Sequence, residues 1–65
     1  MQVFVNGQPY ESNADNLAAL LVECECDAAA VATALNETFV RAKERPGRAL
    51  AEGDRVEILT PRQGG

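Results

Sequence analysis

Residues 1–5, Met-Gln-Val-Phe-Val, form a short β-prone stretch that closes on Asn6-Gly7. An Asn-Gly pair after an apolar strand predicts a two-residue hairpin, because both central residues of a type I′ turn take positive φ. Residues 8–11, anchored by Tyr10, are then the returning strand. A polar connection over residues 12–16 supplies helix-capping side chains, with Asp15 or Asn16 as the N-cap. Leu17, Leu20, Leu21 and Cys24 follow at helical spacing, one apolar stripe on a helix of about two to three turns, with Glu23 and Glu25 off the stripe. Residues 26–30 fit either a helix extension or a loop. Residues 31–35 alternate as a third strand, Asn36-Glu37 ends it, and Thr38-Phe39-Val40 reads as a fourth. Residues 41–48 form a charged connection with room for one helical turn. Gly53-Asp54 marks a turn before a last strand over 55–60.

The order β-β-α-β-β-β predicts an α+β domain with the helix on one sheet face. A last strand lying between the first strand and the others, parallel to the first, would be central and well anchored. Residues 1–60 are read as the domain and 61–65 as a flexible tail. Five residues reach at most roughly 16–18 Å, at about 3.3–3.6 Å each.

Sixty-five residues, 46% of them hydrophobic, suit one small domain with a modest core and no deep catalytic cleft. Ten acidic against six basic side chains give a net charge of −4, the wrong sign for nucleic acid or an anionic membrane surface. A basic protein partner suits it better. The longest apolar run, residues 17–22, is far short of the roughly 20 residues that span a bilayer. Without an export signal or a disulfide framework, a reducing cytoplasm is the expected compartment.

Candidate chemistry is sparse. Histidine is absent, which removes the usual general base and zinc ligand. Cys24 and Cys26 form a C-x-C, and on a helix such a pair points to different faces. Cys24 reads as a small buried apolar group and Cys26 as exposed, with no metal bound. Glu23, Glu25 and Asp27 read as an acidic surface, and Arg41, Lys43, Arg45 and Arg48 as a solvated basic loop, able to meet an acidic partner. With Val3 and Val5 facing the helix, alternation turns Phe4 outward. Leu59 alternates outward in the same way. If the first and last strands are neighbours, Phe4 and Leu59 share an exposed apolar patch beside the tail, the kind of surface that a partner covers. The alternative is that the 41–48 connection covers one of them, or that the register is shifted by one.

Gly64-Gly65 ends the sequence. Two residues without side chains make a thin strand end, able to enter a narrow site and present an unhindered carboxylate. The competing reading is an accidental pair in a frayed end.

Taken together, Met1-Gln2-Val3-Phe4-Val5-Asn6-Gly7, Leu20-Leu21, Ala34-Leu35-Asn36, the run from Glu52 through Gly53-Asp54-Arg55-Val56-Glu57-Ile58 to Leu59, and the final Gly64-Gly65 resemble the ThiS/MoaD sulfur-carrier family. These are the bacterial β-grasp relatives of ubiquitin, and the likeness is greatest to the thiamin-pathway branch. The chain departs at Arg41, where many relatives carry proline.

The resemblance implies a β-grasp fold: a mixed sheet of four to five strands with one main helix and a C-terminal tail. It implies a carrier rather than an enzyme, a monomer when free. Its Gly65 carboxylate is adenylated by a ThiF-like partner with Mg-ATP, which the carrier itself does not hold stably. A cysteine desulfurase relay then converts Gly65 to a thiocarboxylate, and a ThiG-like thiazole synthase takes the sulfur. Gly64, Gln63 and Arg62 form the tail that enters the partners. The rival readings are a carrier for molybdopterin or another sulfur-transfer pathway, a ubiquitin-like protein modifier, and a plain binding module with an idle tail.

Overall fold

The computed structural model describes residues 1–60. Five strands, β1 (Gln2–Val5), β2 (Gln8–Glu11), β3 (Ala32–Leu35), β4 (Thr38–Val40) and β5 (Arg55–Leu59), form one sheet in the order β2-β1-β5-β3-β4. Only β1 and β5 run parallel; the other neighbours are antiparallel. The last strand therefore sits at the centre, beside and parallel to the first, the placement that would leave it well anchored. The helix α1 (Leu17–Glu23) packs on one face.

Both hairpins turn in two residues with positive φ: Asn6 and Gly7 at 51° and 82°, Asn36 and Glu37 at 50° and 72°. The mirror-image turn matches the twist of the strands it joins, which is why both central residues sit in this region. Pro9 is accommodated because β2 is an edge strand and a missing N–H costs no ladder bond there.

Asn16 caps α1, its Oδ1 accepting from the Ala19 N–H at 2.8 Å. Seven residues make two turns, too short to persist alone, so the helix depends on its packing. Leu17, Leu20 and Leu21 are buried. Leu17 and Leu20 join Ala14, Leu35, Val40, Leu50 and Val56 in the core. Each such leucine contributes about 1.5–3 kcal/mol by leaving water.

The helix ends between the two cysteines. Cys24 is the C-cap, Glu25 takes the left-handed conformation (φ 59°), and the Glu25 and Cys26 N–H groups donate back to the carbonyls of Val22 and Leu21. This pair of reversed bonds is a Schellman motif, here with glutamate where glycine is usual. The helical geometry that sends a C-x-C to opposite faces therefore does not apply. Cys26 is half-buried rather than exposed. Residues 26–30 are neither helix extension nor plain loop: Asp27 caps a single 3-10 turn, Ala28–Ala30.

Arg45 is a second departure from expectation. Sequence context placed it in a solvated loop, yet it is buried beneath the 3-10 segment Ala42–Gly47. Its Nε donates to Thr33 Oγ1 (3.0 Å), Nη1 to the Ala28 carbonyl (3.0 Å) and Nη2 to the Val31 carbonyl (2.9 Å). The guanidinium fork suits three acceptors converging from different segments. Its partners are all neutral, so it fixes the approach to β3 by hydrogen bonds rather than by pairing charge. Arg41 and Lys43 are exposed, as expected of a solvated loop.

Candidate functional site

The central strand delivers the chain to the tail. β5 leaves the sheet at Leu59, on the same end as the Asn6-Gly7 turn, since β1 and β5 are parallel. Arg62, Gln63, Gly64 and Gly65 lie outside the described residues. The root of the tail is therefore described, and its tip is not.

Two asparagine side chains hold this strand. At its start, Asn36 Oδ1 accepts from the Arg55 N–H (2.9 Å), while Asn36 Nδ2 donates to Asp54 Oδ1 (3.1 Å). At its end, Asn6 Oδ1 accepts from the Ile58 N–H (2.8 Å) and Asn6 Nδ2 donates to the Ile58 carbonyl (3.1 Å). Both come from the first position of a hairpin turn. Asp54 also accepts from the Ala51 N–H, and Gly53, at φ 86°, closes that turn.

The sheet face away from α1 carries Phe4 on β1, Arg55, Glu57 and Leu59 on β5, Ala32 and Ala34 on β3 and Phe39 on β4, as strand alternation and register require. Phe4 is half-buried, whereas Leu59 is 61% exposed. Their strands are neighbours, but Phe4 stands opposite Arg55, four positions before Leu59. That offset is about 13 Å along the strand, at roughly 3.3 Å per residue. Leu59 instead stands opposite Ala32, one pair from Ala34, whose partner across the sheet is Phe39.

Phe39 is 63% exposed, and sequence reading did not single it out. The signal was present: in Thr38-Phe39-Val40, an inward Val40 turns Phe39 outward. Small alanines between Phe39 and Leu59 leave a flat apolar strip rimmed by Glu57. Beside Phe4 lies an open groove lined also by Gly7, Glu37, Gly53, Arg55 and Glu57.

Glu23 is not part of a free acidic surface. Ser12 Oγ donates to its Oε1 (2.7 Å) and the Asn13 N–H to its Oε2 (2.8 Å). The Ser12 hydrogen bond above all holds the Glu23 carboxyl below the usual glutamate range. Cys24 is half-buried against the core rather than fully buried, and burial pushes its thiol up, opposed by the Tyr10 hydroxyl and reinforced by the neighbouring Cys26 and Glu23. A protonated thiol is a poor nucleophile. Among the described residues, no cluster of three His, Cys, Asp or Glu could hold a metal ion, and no helix is long and apolar enough to cross a membrane.

A small mixed sheet, one helix on one face and a central last strand parallel to the first define a β-grasp fold, and the sequence beyond that strand runs to Gly64-Gly65. The ThiS family profile matches residues 3–65, and the chain belongs to that family. It is 36% identical over 63 residues to the sulfur carrier protein ThiS of Thermus thermophilus, covering 97% of this chain and 98% of that protein. The crystal structure of the thiamine biosynthesis protein ThiS from Geobacter metallireducens superimposes with a TM-score of 0.85 at 29% identity, covering all of both chains. A solution structure of a thiamine biosynthesis protein from the same organism gives 0.79 at 28% identity, covering all of this chain and 88% of the other. The resemblance in the sequence and the fold it implied are both borne out.

Proposed function

We propose that this chain is the sulfur carrier of thiamin biosynthesis, supplying sulfur for the thiazole ring from its C-terminal glycine. The observation that carries this reading is the match to the ThiS family from residue 3 through Gly64-Gly65, which takes in the tail as well as the sheet.

The chemistry follows from the carboxyl group. An α-carboxyl titrates at about 3.3–3.7, so at neutral pH Gly65 presents an anion. Its oxygen attacks the α-phosphorus of ATP on a ThiF-like adenylating enzyme, and pyrophosphate leaves. The magnesium and the nucleotide belong to that enzyme. The acyl-adenylate now has a good leaving group. The terminal sulfur of a persulfide from a cysteine desulfurase relay attacks its carbonyl carbon and AMP departs, leaving an acyl disulfide. A second thiol then attacks the outer sulfur of that disulfide, is itself oxidised to the new disulfide, and releases the thiocarboxylate. A ThiG-like thiazole synthase receives that sulfur, and the carrier returns as carboxylate. Gly64 and Gly65 let main chain approach closely, while Arg62 and Gln63 extend along the entry to the partner site, held by main-chain hydrogen bonds. The strip formed by Phe39 and Leu59, with Phe4 beyond Arg55, provides the docking face. The carrier lowers no barrier of its own and acts as a co-substrate in the cytoplasm.

Incubation with the adenylating partner, ATP and a sulfide source tests the proposal by intact mass. One oxygen should be replaced by one sulfur, and deletion of Gly65 should abolish the change. An unchanged mass, or a gain that survives the deletion, would overturn it.

A further inference from the structure

The Asn6 side chain sits where the parallel β1–β5 ladder should end. Along β1, the Phe4 N–H donates to the Asp54 carbonyl and the Asn6 N–H to the Val56 carbonyl, both regular rungs. The next rung needs an acceptor for the Ile58 N–H and a donor for the Ile58 carbonyl. Main chain cannot supply them, because at Asn6 the backbone turns away into the hairpin with φ 51°. The carboxamide supplies both, since it carries the same acceptor and donor as a peptide group. Pairing of β5 with β1 is thereby extended by two residues, to one residue short of Leu59. Asn36 binds the opposite end of the same strand but uses its donor on the Asp54 side chain rather than on β5 main chain.

We propose that Asn6 is a positioning residue for the tail: its carboxamide fixes the last rung of β5 and so sets the point and direction from which the terminal glycines reach a partner. The inference rests on the carrier reading above and adds a residue to it. A fixed root lowers the entropy lost when the tail is ordered in a partner site, whereas the chemistry at the tip is untouched. Loss of the rung should therefore raise KM for the carrier and leave kcat unchanged.

The test compares Asn6→Gly with Asn36→Gly. Glycine tolerates the positive φ at both turns, so each variant loses only the carboxamide. With the adenylating enzyme in ATP–pyrophosphate exchange, Asn6→Gly should raise the carrier's KM roughly tenfold, about the loss of one to two hydrogen bonds. Its kcat should stay within about twofold, and Asn36→Gly should leave KM near wild type. In the free carrier, amide hydrogen exchange should accelerate at Ile58 in the first variant only. Equal KM values for the two variants, or an Ile58 amide as protected in Asn6→Gly as in wild type, would overturn the proposal. Wild-type carrier inert in the exchange assay would overturn the carrier reading instead, and the Ile58 amide would still decide whether Asn6 fixes the strand end.

Discussion

The two faces of the sheet are built by the same alternation on the same strands, yet they differ in what lies on them. Toward α1, Val3, Leu35, Val40 and Val56 are buried, and Thr33 joins them only because its hydroxyl donates to the Val40 carbonyl and accepts from Arg45. On the other side, Phe39 and Leu59 stand more than half exposed with alanines between them. Aliphatic side chains that are covered stabilise the domain; apolar side chains left in water do not. The covered face accounts for the fold, and the open face is available for recognition.

Mutation should separate these roles. Leu20→Ala removes a buried side chain where α1 meets the core, and should lower unfolding free energy by about 2–5 kcal/mol in chemical denaturation. Arg45→Met should cost about 1–3 kcal/mol, because it strands acceptors that a charged donor had satisfied. Arg45→Lys should recover only part of that loss, since an ammonium group cannot reach three separated acceptors with fork geometry. Full recovery by lysine would show that charge, not shape, is what the covered side requires.

A smaller effect depends on pH. The folded-state pKa of Glu23 is depressed, so its contribution is complete at neutral pH and is lost as pH falls through the ordinary glutamate value near 4.3 toward the lower folded one. Urea midpoints of wild type and Glu23→Gln should therefore converge on acidification, and a constant gap would show that the Ser12 and Asn13 bonds do not depend on the charge. The smallest change in stability belongs to the open face. Phe39→Ser should shift unfolding by no more than about 0.5 kcal/mol while weakening capture by the adenylating partner in pull-down. A large loss of stability there would erase the distinction between the faces.

Most of the architecture was legible because it rests on local signals. Asn6-Gly7 announces a turn through φ, the Leu17, Leu20 and Leu21 spacing announces a helix, and alternation gives the strands. The central place of β5 was legible only as a condition, that it lie between β1 and the others and parallel to β1, which the fold meets. What escaped was set by convergence of distant segments. Arg45 looks solvated among Lys43, Glu44 and Arg48, and only the fold brings the Ala28 and Val31 carbonyls within its reach. Glu23 likewise meets Ser12 from eleven residues away. Glu25 has none of the composition of a left-handed C-cap, so the helix end between the cysteines was hidden. The separation of Phe4 from Leu59 depends on parallel register, which no turn between β1 and β5 fixes. The roles of residues 62–65 came from resemblance and from the chemistry of a carboxylate.

The place of β5 has a further consequence for synthesis on the ribosome. Its slot lies between β1 and β3, so the sheet cannot be completed until every residue through Leu59 has emerged. Such long-range closure is a late folding event. A nascent or misassembled chain thus lacks a seated β5, and the strand end at Leu59 takes its place only when the sheet has closed.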